Sequence, residues 1–190
     1  MSNQANNTAT MATGSELTRQ RILEAAQQLF ASRGYAETGV RDICALADVN
    51  QALVARYFGS KLGLFEQALE TSFDVNVFIR LKRQEFGRQL AETFCTAPPE
   101  AAHAVPALIY AAGDSAARQA ALAILKRSII VPLQEWFGGP QAEERAAQVL
   151  AVVTGFYVYR LMLPLEPLQG GSTPAMRDWL AQTLQGIVDQ

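Results

Sequence analysis

Residues 40–61, VRDICALADVNQALVARYFGSK, constrain the fold more than any other part of the chain, because they predict two short helices joined by a tight turn. The apolar residues of the first helix recur at spacings of three and four and so share one face; they are Val40, Ile43, Cys44 and Ala47. Asn50 then offers a side-chain oxygen that can accept a backbone N–H and start a second helix at Gln51. The segment therefore predicts a helix-turn-helix.

The second predicted helix has an inward and an outward side. Leu53, Val54 and Tyr57 can point toward the core. The residues at its N-terminal end and outer surface lie where a helix of this kind meets base edges in a DNA major groove; they are Gln51, Ala52, Ala55 and Arg56. We expect this surface to recognise the DNA sequence.

The longer segment from Thr18 to Leu69 resembles the N-terminal domain of the TetR/AcrR (tetracycline-repressor-like) transcriptional regulators. An amphipathic helix over residues 19–33 precedes a Gly34-Tyr35 turn, and the motif residues that follow keep a fixed order. They are Thr38, the VRDI stretch at 40–43, the Ala47-x-Val49 turn, and the YFGSK stretch at 57–61 leading to Leu64-Phe65. This order and spacing over roughly fifty residues carry the resemblance.

The resemblance implies an all-α fold with an N-terminal three-helix helix-turn-helix DNA-binding domain and a C-terminal helical bundle for ligand binding and dimerisation. It further implies that the second helix of the motif enters the major groove and that Lys61 contacts a phosphate. The DNA-binding residues expected on this basis are Thr38, Arg41, Asn50, Gln51, Ala52, Leu53, Ala55, Arg56, Tyr57 and Lys61.

Three positions depart from the family pattern. Gly39 stands where the family usually has a Ser or Thr cap, although Gly is itself an acceptable N-cap. Asp48 replaces the common turn glycine, and Asp can adopt the left-handed conformation at modest cost. Ala55 occupies the place of a tyrosine that touches the DNA backbone in many members. That contact is therefore missing here or passes to Arg56 or Tyr57.

Bulk properties predict a soluble, cytoplasmic, globular protein with no membrane partner. The chain has 190 residues, of which 49% are hydrophobic, enough for a sizeable core. Residues 1–15 lack the basic start and apolar run of a secretory signal and predict a flexible polar arm. The longest apolar stretch, residues 149–165, contains Arg160, which favours a buried helix over a membrane span.

The charge of the chain argues for two copies on DNA. The net charge is −2, and residues 15–61 carry six basic and five acidic side chains. Because neutralised phosphates supply most non-specific affinity, so small a basic footprint predicts that two copies bind together.

Helix-breaking residues divide the rest of the chain. We predict one long helix over residues 60–80 linking the DNA-binding domain (16–62) to the C-terminal domain (63–190). A helix over 114–137, bent at Pro132, follows. The last two helices, about 140–163 and 173–188, carry more apolar surface than one small domain covers. They predict a homodimer through a four-helix interface.

A small-molecule pocket between these helices would use aromatic and polar side chains that helical spacing alone cannot separate from ordinary core. The candidates are Phe78, Phe94, His103, Tyr110, Trp136, Tyr157 and Arg160. Arg160 either lines a cavity or reaches the surface or an acid such as Glu166. With a single histidine and two isolated cysteines, the chain is predicted to bind no metal and no cofactor.

Three functions remain open from the sequence. The first is a ligand-responsive transcriptional regulator, a repressor that binds a near-palindromic operator as a homodimer and responds to an unknown small-molecule effector by a shift of residues 60–80. The second is an enzyme on a small apolar substrate, against which the lack of a nucleophile–base arrangement argues. The third is a helix-turn-helix dimer that contacts protein instead of DNA. We expect the first, and no enzyme.

Overall fold

A computed structural model of the protein describes residues 14–96 and 104–190, which form eleven α-helices and no strand. The helices are Gly14–Glu37 (α1), Val40–Ala47 (α2), Gln51–Phe58 (α3), Lys61–Ser72 (α4), Asn76–Ile79 (α5), Phe86–Thr96 (α6), Ala104–Ala111 (α7), Ser115–Leu125 (α8), Val131–Phe137 (α9), Ala142–Tyr157 (α10) and Pro174–Val188 (α11). Within these two ranges, no helix has the length and apolar character needed to cross a membrane. The predicted all-α fold is confirmed.

Shorter helical turns join some of these elements. Short 3₁₀ helices cover Arg83–Glu85 and Glu166–Gly171, and π turns cover Lys126–Ile130 and Val158–Met162. Helix α1 begins at Gly14, so the last two residues of the predicted polar arm belong to a helix. Residues 1–13 of that arm, and His103, lie outside the described residues.

The apolar side chains form two buried clusters. The first cluster contains residues of the four helices α1, α2, α3 and α4 and of α7 and α8. It includes Phe30 and Phe65 from the N-terminal helices and the alanine face of α7. That face consists of Ala104, Ala107 and Ala111. The second cluster joins α5, α6, α9, α10 and α11. The predicted boundary at residues 62 and 63 thus falls within the first cluster, because α4 and α7 help to fill it.

Four predicted helix starts are confirmed by their capping hydrogen bonds. Asn50 Oδ1 accepts the Ala52 N–H at 2.8 Å, and Ser60 Oγ accepts the Gly63 N–H at 3.0 Å. The other two caps lie in the C-terminal half and are Asp114, bonded to the Ala117 N–H at 2.9 Å, and Thr173, bonded to the Met176 N–H at 3.3 Å. Each short side chain satisfies a backbone donor that the first helical turn leaves without a partner.

The predicted single helix over residues 60–80 is wrong. Helix α4 ends at Ser72, and Phe73 adopts an extended conformation with φ −88° and ψ 126°. Asp74 Oδ1 accepts the Asn76 N–H at 2.9 Å and so supports the turn that begins α5. An Asp side chain that bonds its own downstream backbone competes with continuation of a helix. The connection between the two halves of the protein is therefore two helices with a break at Phe73, and we call this break the α4–α5 joint.

The predicted helix over residues 114–137 is confirmed, and its distortion at Pro132 takes the form of a π turn. The Val131 N–H bonds to the carbonyl of Lys126, five residues earlier. Pro132 has no N–H to give to the carbonyl of Ser128, so the regular spacing cannot continue there. The helix runs on without a break from α8 into α9. Helix α10 with its π turn, and α11, match the last two predicted helices closely.

Candidate nucleic-acid interface and ligand cavity

The helix-turn-helix is built by α2, the turn at Asp48 and Val49, and α3. Asp48 adopts the predicted left-handed conformation, with φ 52° and ψ 57°, and the Val49 N–H bonds to the Cys44 carbonyl at 3.0 Å. Gly39 supplies no side-chain cap for α2. Asp42 compensates in part, because its carboxylate accepts the Gly39 N–H at 2.9 Å.

Helix α3 has a buried and an exposed side. Val54 and Phe58 are buried in the first cluster, and Leu53 and Tyr57 are half-buried against it. The remaining side chains of the helix are exposed, and they are Gln51, Ala52, Ala55 and Arg56. The burial of one side fixes the helix, so that the other side is presented to the solvent as one surface.

Aromatic rings hold the cations beside this surface. The Arg56 guanidinium lies 5.8 Å from the centroid of the Tyr57 ring, and the Tyr57 hydroxyl lies 2.9 Å from Ser15 Oγ. Lys61 Nζ lies 4.3 Å from the centroid of the Tyr35 ring, within the range of a cation–π contact. Arg41 is exposed on α2.

Thr38 differs from its predicted role. Its side chain is fully buried, and its hydroxyl donates to the Gly34 carbonyl at 2.7 Å. That carbonyl is available because Gly34, with φ 78°, interrupts the regular helix near the end of α1. The predicted DNA contact of the Thr38 side chain is therefore corrected: the hydroxyl closes the junction between α1 and α2.

A cavity of about 260 Å³ lies between the α4–α5 joint and helices α6, α7, α8 and α10. Three of the predicted ligand residues, Phe78, Phe94 and Tyr157, line it. The sequence analysis missed the aliphatic and polar walls, among them Val77, Leu108, Ile129, Leu150, Val153, Ser72, Asp74, Thr93 and Thr154. An apolar residue that faces a cavity has the same spacing as one that faces the core, so no sequence signal separates them.

Tyr157 brings a hydroxyl to this apolar cavity. Burial raises the pKa of Tyr157 above its ordinary value, and the charge of Arg160 opposes that rise. The phenol is therefore neutral at physiological pH and can both donate and accept a hydrogen bond. The Phe78 and Phe94 rings lie with their centroids 6.5 Å apart in the same wall.

The other predicted ligand residues that the structure describes do not line this cavity. Tyr110 is 45% exposed and packs against Gly34, where an added Cβ would lie 2.7 Å from the Tyr110 Cβ. The Trp136 ring packs against Phe86 at 5.0 Å between ring centroids. Arg160 is half-buried and lies near Tyr157 without lining the cavity. Tyr110 and Trp136 are thus packed against residues outside the cavity.

Two sequence models of known families match the chain. The bacterial regulatory proteins of the tetR family match residues 22–68, and the tetracyclin repressor-like C-terminal domain matches residues 84–188, more than half of the chain. The chain belongs to the TetR family. The names of this family and of its members describe regulators of transcription and not enzymes.

Individual TetR-family proteins resemble the chain to different extents. An HTH-type transcriptional repressor of Mycobacterium tuberculosis, Rv3405c, is 53% identical over 51 residues, which are 27% of each protein. The chain thus aligns with about a quarter of the length of this relative. A TetR-family regulator from Streptomyces coelicolor is 25% identical, with a TM-score of 0.59, and the match covers 96% of this chain and 100% of that one. Salmonella enterica GusR, 19% identical, shares the fold with a TM-score of 0.73 over 94% of this chain and 98% of its own.

Proposed function

We propose that this TetR-family protein is a ligand-responsive transcriptional repressor that binds a near-palindromic operator as a homodimer. The exposed side of α3 carries the proposal. Gln51 and Arg56 are exposed there, on a helix whose opposite side is buried and whose first turn is capped by Asn50. Such a helix can place hydrogen-bonding side chains against base edges in the major groove, with Lys61 at a phosphate.

A second copy supplies the affinity that one copy lacks. The N-terminal region carries few basic residues in excess, so a single copy gains little from the phosphates. Large apolar side chains are exposed on and beside the last two helices, with Trp179 49% exposed on α11 and Leu163 63% exposed just after the π turn that extends α10. Pairing of these helices would bury those side chains and present two α3 helices to one duplex.

The cavity supports a response to a small effector. Val105 and Leu108 of α7 line it, while Tyr110 of the same helix packs against Gly34 of α1. An effector that displaces α7 would therefore displace α1 and the helix-turn-helix that α1 carries. Effector and operator then weaken each other's binding by the same factor.

Selection of bound fragments from random double-stranded DNA tests the DNA-binding proposal. We expect enrichment of two symmetric half-sites about one helical turn apart or a multiple of it. Gln51→Ala and Arg56→Ala should each cost on the order of 1–3 kcal/mol at particular operator positions. Gln119→Ala on the exposed side of α8 serves as the control and should leave the affinity unchanged. Absence of enrichment, or sites without twofold symmetry, would contradict the proposal.

A further inference from the structure

Two of the cavity's hydroxyls, those of Ser72 and Thr93, present hydrogen-bond acceptors. The Ser72 hydroxyl donates its proton to the Ala68 carbonyl at 2.8 Å. The Thr93 hydroxyl likewise donates to the Gln89 carbonyl at 3.0 Å. A hydroxyl has one proton, so these two oxygens keep only lone pairs for any ligand beside them. The cavity is therefore equipped at both positions to receive a donor.

Asp74 adds a negative charge to the same cavity. Its Oδ1 accepts the Asn76 N–H at 2.9 Å and the Asn76 side-chain amide at 2.7 Å. An ionised carboxylate has two oxygens and about four lone-pair sites, so acceptor capacity is left for a ligand. Among the described residues that line the cavity there is no Lys, Arg or His. The formal charge of these described lining residues is therefore negative.

The positive charge of Arg160 acts on Tyr157, a residue of the cavity wall. It does not line the cavity, whereas Asp74 does. An anionic ligand against these described lining residues would therefore contact the Asp74 carboxylate and not the Arg160 guanidinium. Phe78 and Phe94 also line the cavity, and the face of an aromatic ring is a surface that attracts positive charge.

We propose that the cavity binds an organic ammonium ion, a protonated amine on a small apolar or aromatic body, whose N–H donors meet Ser72, Asp74 and Thr93. The inference rests on the proposed function, in which this cavity takes the effector. The volume of about 260 Å³ lies below the range of roughly 300–1,000 Å³ for drug-sized ligands, which favours a body of one or two rings.

Three naphthalene probes that differ in one substituent test the ligand class. They are naphthylmethylammonium, its neutral isostere ethylnaphthalene, and naphthylacetate, each measured by equilibrium dialysis against the full chain. The ammonium and the carboxylate both carry a charge that must lose water, so the sign of the charge decides between them. We expect the ammonium to bind more tightly than the carboxylate, with an affinity that falls as salt is added, and the ethyl compound to be insensitive to salt.

Asp74→Asn tests the carboxylate, because the amide keeps the oxygen that accepts the Asn76 N–H and removes the charge. We expect the affinity for the ammonium to fall about threefold to fivefold, the size of an exposed ion pair, and that for ethylnaphthalene to stay the same. Glu135→Gln, at an exposed carboxylate on α9 outside the cavity, should change neither affinity.

Tighter binding of the carboxylate, or an unchanged ammonium affinity in Asp74→Asn, would overturn the ammonium class and leave the cavity as a site for another effector. Binding of none of the three probes would overturn the ammonium class as well. A bound ammonium probe that leaves DNA affinity unchanged would instead support the class and contradict the ligand response. The salt dependence of the unmodified protein decides the question if Asp74→Asn does not fold.

Discussion

The surroundings of Lys61, which we propose to lie at a phosphate, bear on its expected contribution to DNA affinity. Its ammonium lies against the Tyr35 ring, and that ring in turn packs at 5.2 Å from the centroid of Phe65. A side chain held in this way loses less conformational freedom when it binds a partner than a freely moving lysine does. We therefore expect Lys61 to contribute more to operator affinity than its charge alone suggests.

Lys61→Ala should weaken binding on all DNA sequences and reduce the slope of log affinity against log salt by about one unit, since one phosphate contact is lost. Filter-binding titrations at several salt concentrations measure both quantities. Lys82→Ala removes an exposed lysine from the connection between α5 and α6 and serves as the matched control. A loss of sequence specificity at an unchanged slope would assign Lys61 to base contact instead.

The two cysteines give a prediction about buried thiols. Burial raises the pKa of both Cys44 and Cys95 above the ordinary thiol value. The thiolate is the reactive form, so a raised pKa means that a higher pH is needed to populate it. In a disulfide-exchange assay at neutral pH, we expect neither thiol to react in the folded protein and both to react in urea. Rapid reaction of either thiol without urea would contradict this.

Single residues also mark where the sequence informed the site and where it did not. Asn50 could be assigned because a cap acts within its own helical turn. The Thr38 hydroxyl donates to the Gly34 carbonyl, and the predicted Gly34-Tyr35 turn does not indicate which side chain bonds to that carbonyl. Phe94 and Tyr110 are both aromatic residues on helices, yet only Phe94 lines the cavity. Tertiary packing decides both the burial of Thr38 and the position of Phe94, and the local spacing of residues does not predict that packing.

At the scale of elements, α3 and α4 meet in an elbow at residues 59–63, where their backbones approach closely. An added Cβ at Gly63 would lie 2.3 Å from the Phe58 carbonyl oxygen, closer than any real Cβ contact. Gly59 closes α3 with φ 74°, and Ser60 caps α4 immediately afterwards. The elbow therefore fixes the direction of α3 relative to α4 through backbone contact.

Gly63→Ala should force this elbow open and lower the free energy of unfolding by about 1–3 kcal/mol, the usual penalty for overpacking. Urea denaturation followed by circular dichroism measures the loss. Gly113→Ala is the matched control, because its added Cβ would lie at an ordinary 3.7 Å from the Tyr110 carbonyl oxygen. Equal stability of the two variants would show that the elbow yields without strain.

The sequence predicted where helices begin better than where a helix is interrupted. The four caps and the distortion before Pro132 follow from chemistry within a few residues, and they are present. The break after Ser72 was not predicted, because the apolar residues 62, 65, 69, 73 and 77 keep helical spacing across it. Asp74 ends the helix there, and whether an Asp caps a new turn or stays within a helix depends on what the following side chains pack against.

At the scale of the whole molecule, the exposed apolar side chains on the last two helices predict the assembly. Trp179→Asp should place a charge in the proposed dimer contact and yield a monomer, with operator affinity falling because the two α3 helices no longer bind together. Light scattering after size-exclusion chromatography measures the mass. Leu122→Asp changes a side chain that is 57% exposed on α8 and should leave the dimer intact. A dimeric Trp179→Asp would assign the interface elsewhere.

The alanine face of α7 has a consequence for engineering. Ala104, Ala107 and Ala111 complete the buried cluster that also holds α1 and α4. A chimaera that joins the first sixty residues of another regulator to this C-terminal half would place foreign side chains against methyl groups that fit only close neighbours. Grafts that retain the α1 residues facing α7, Gly34 among them, should keep the N-terminal domain folded. Altered DNA sequence specificity is therefore best sought by changing only the exposed side of α3.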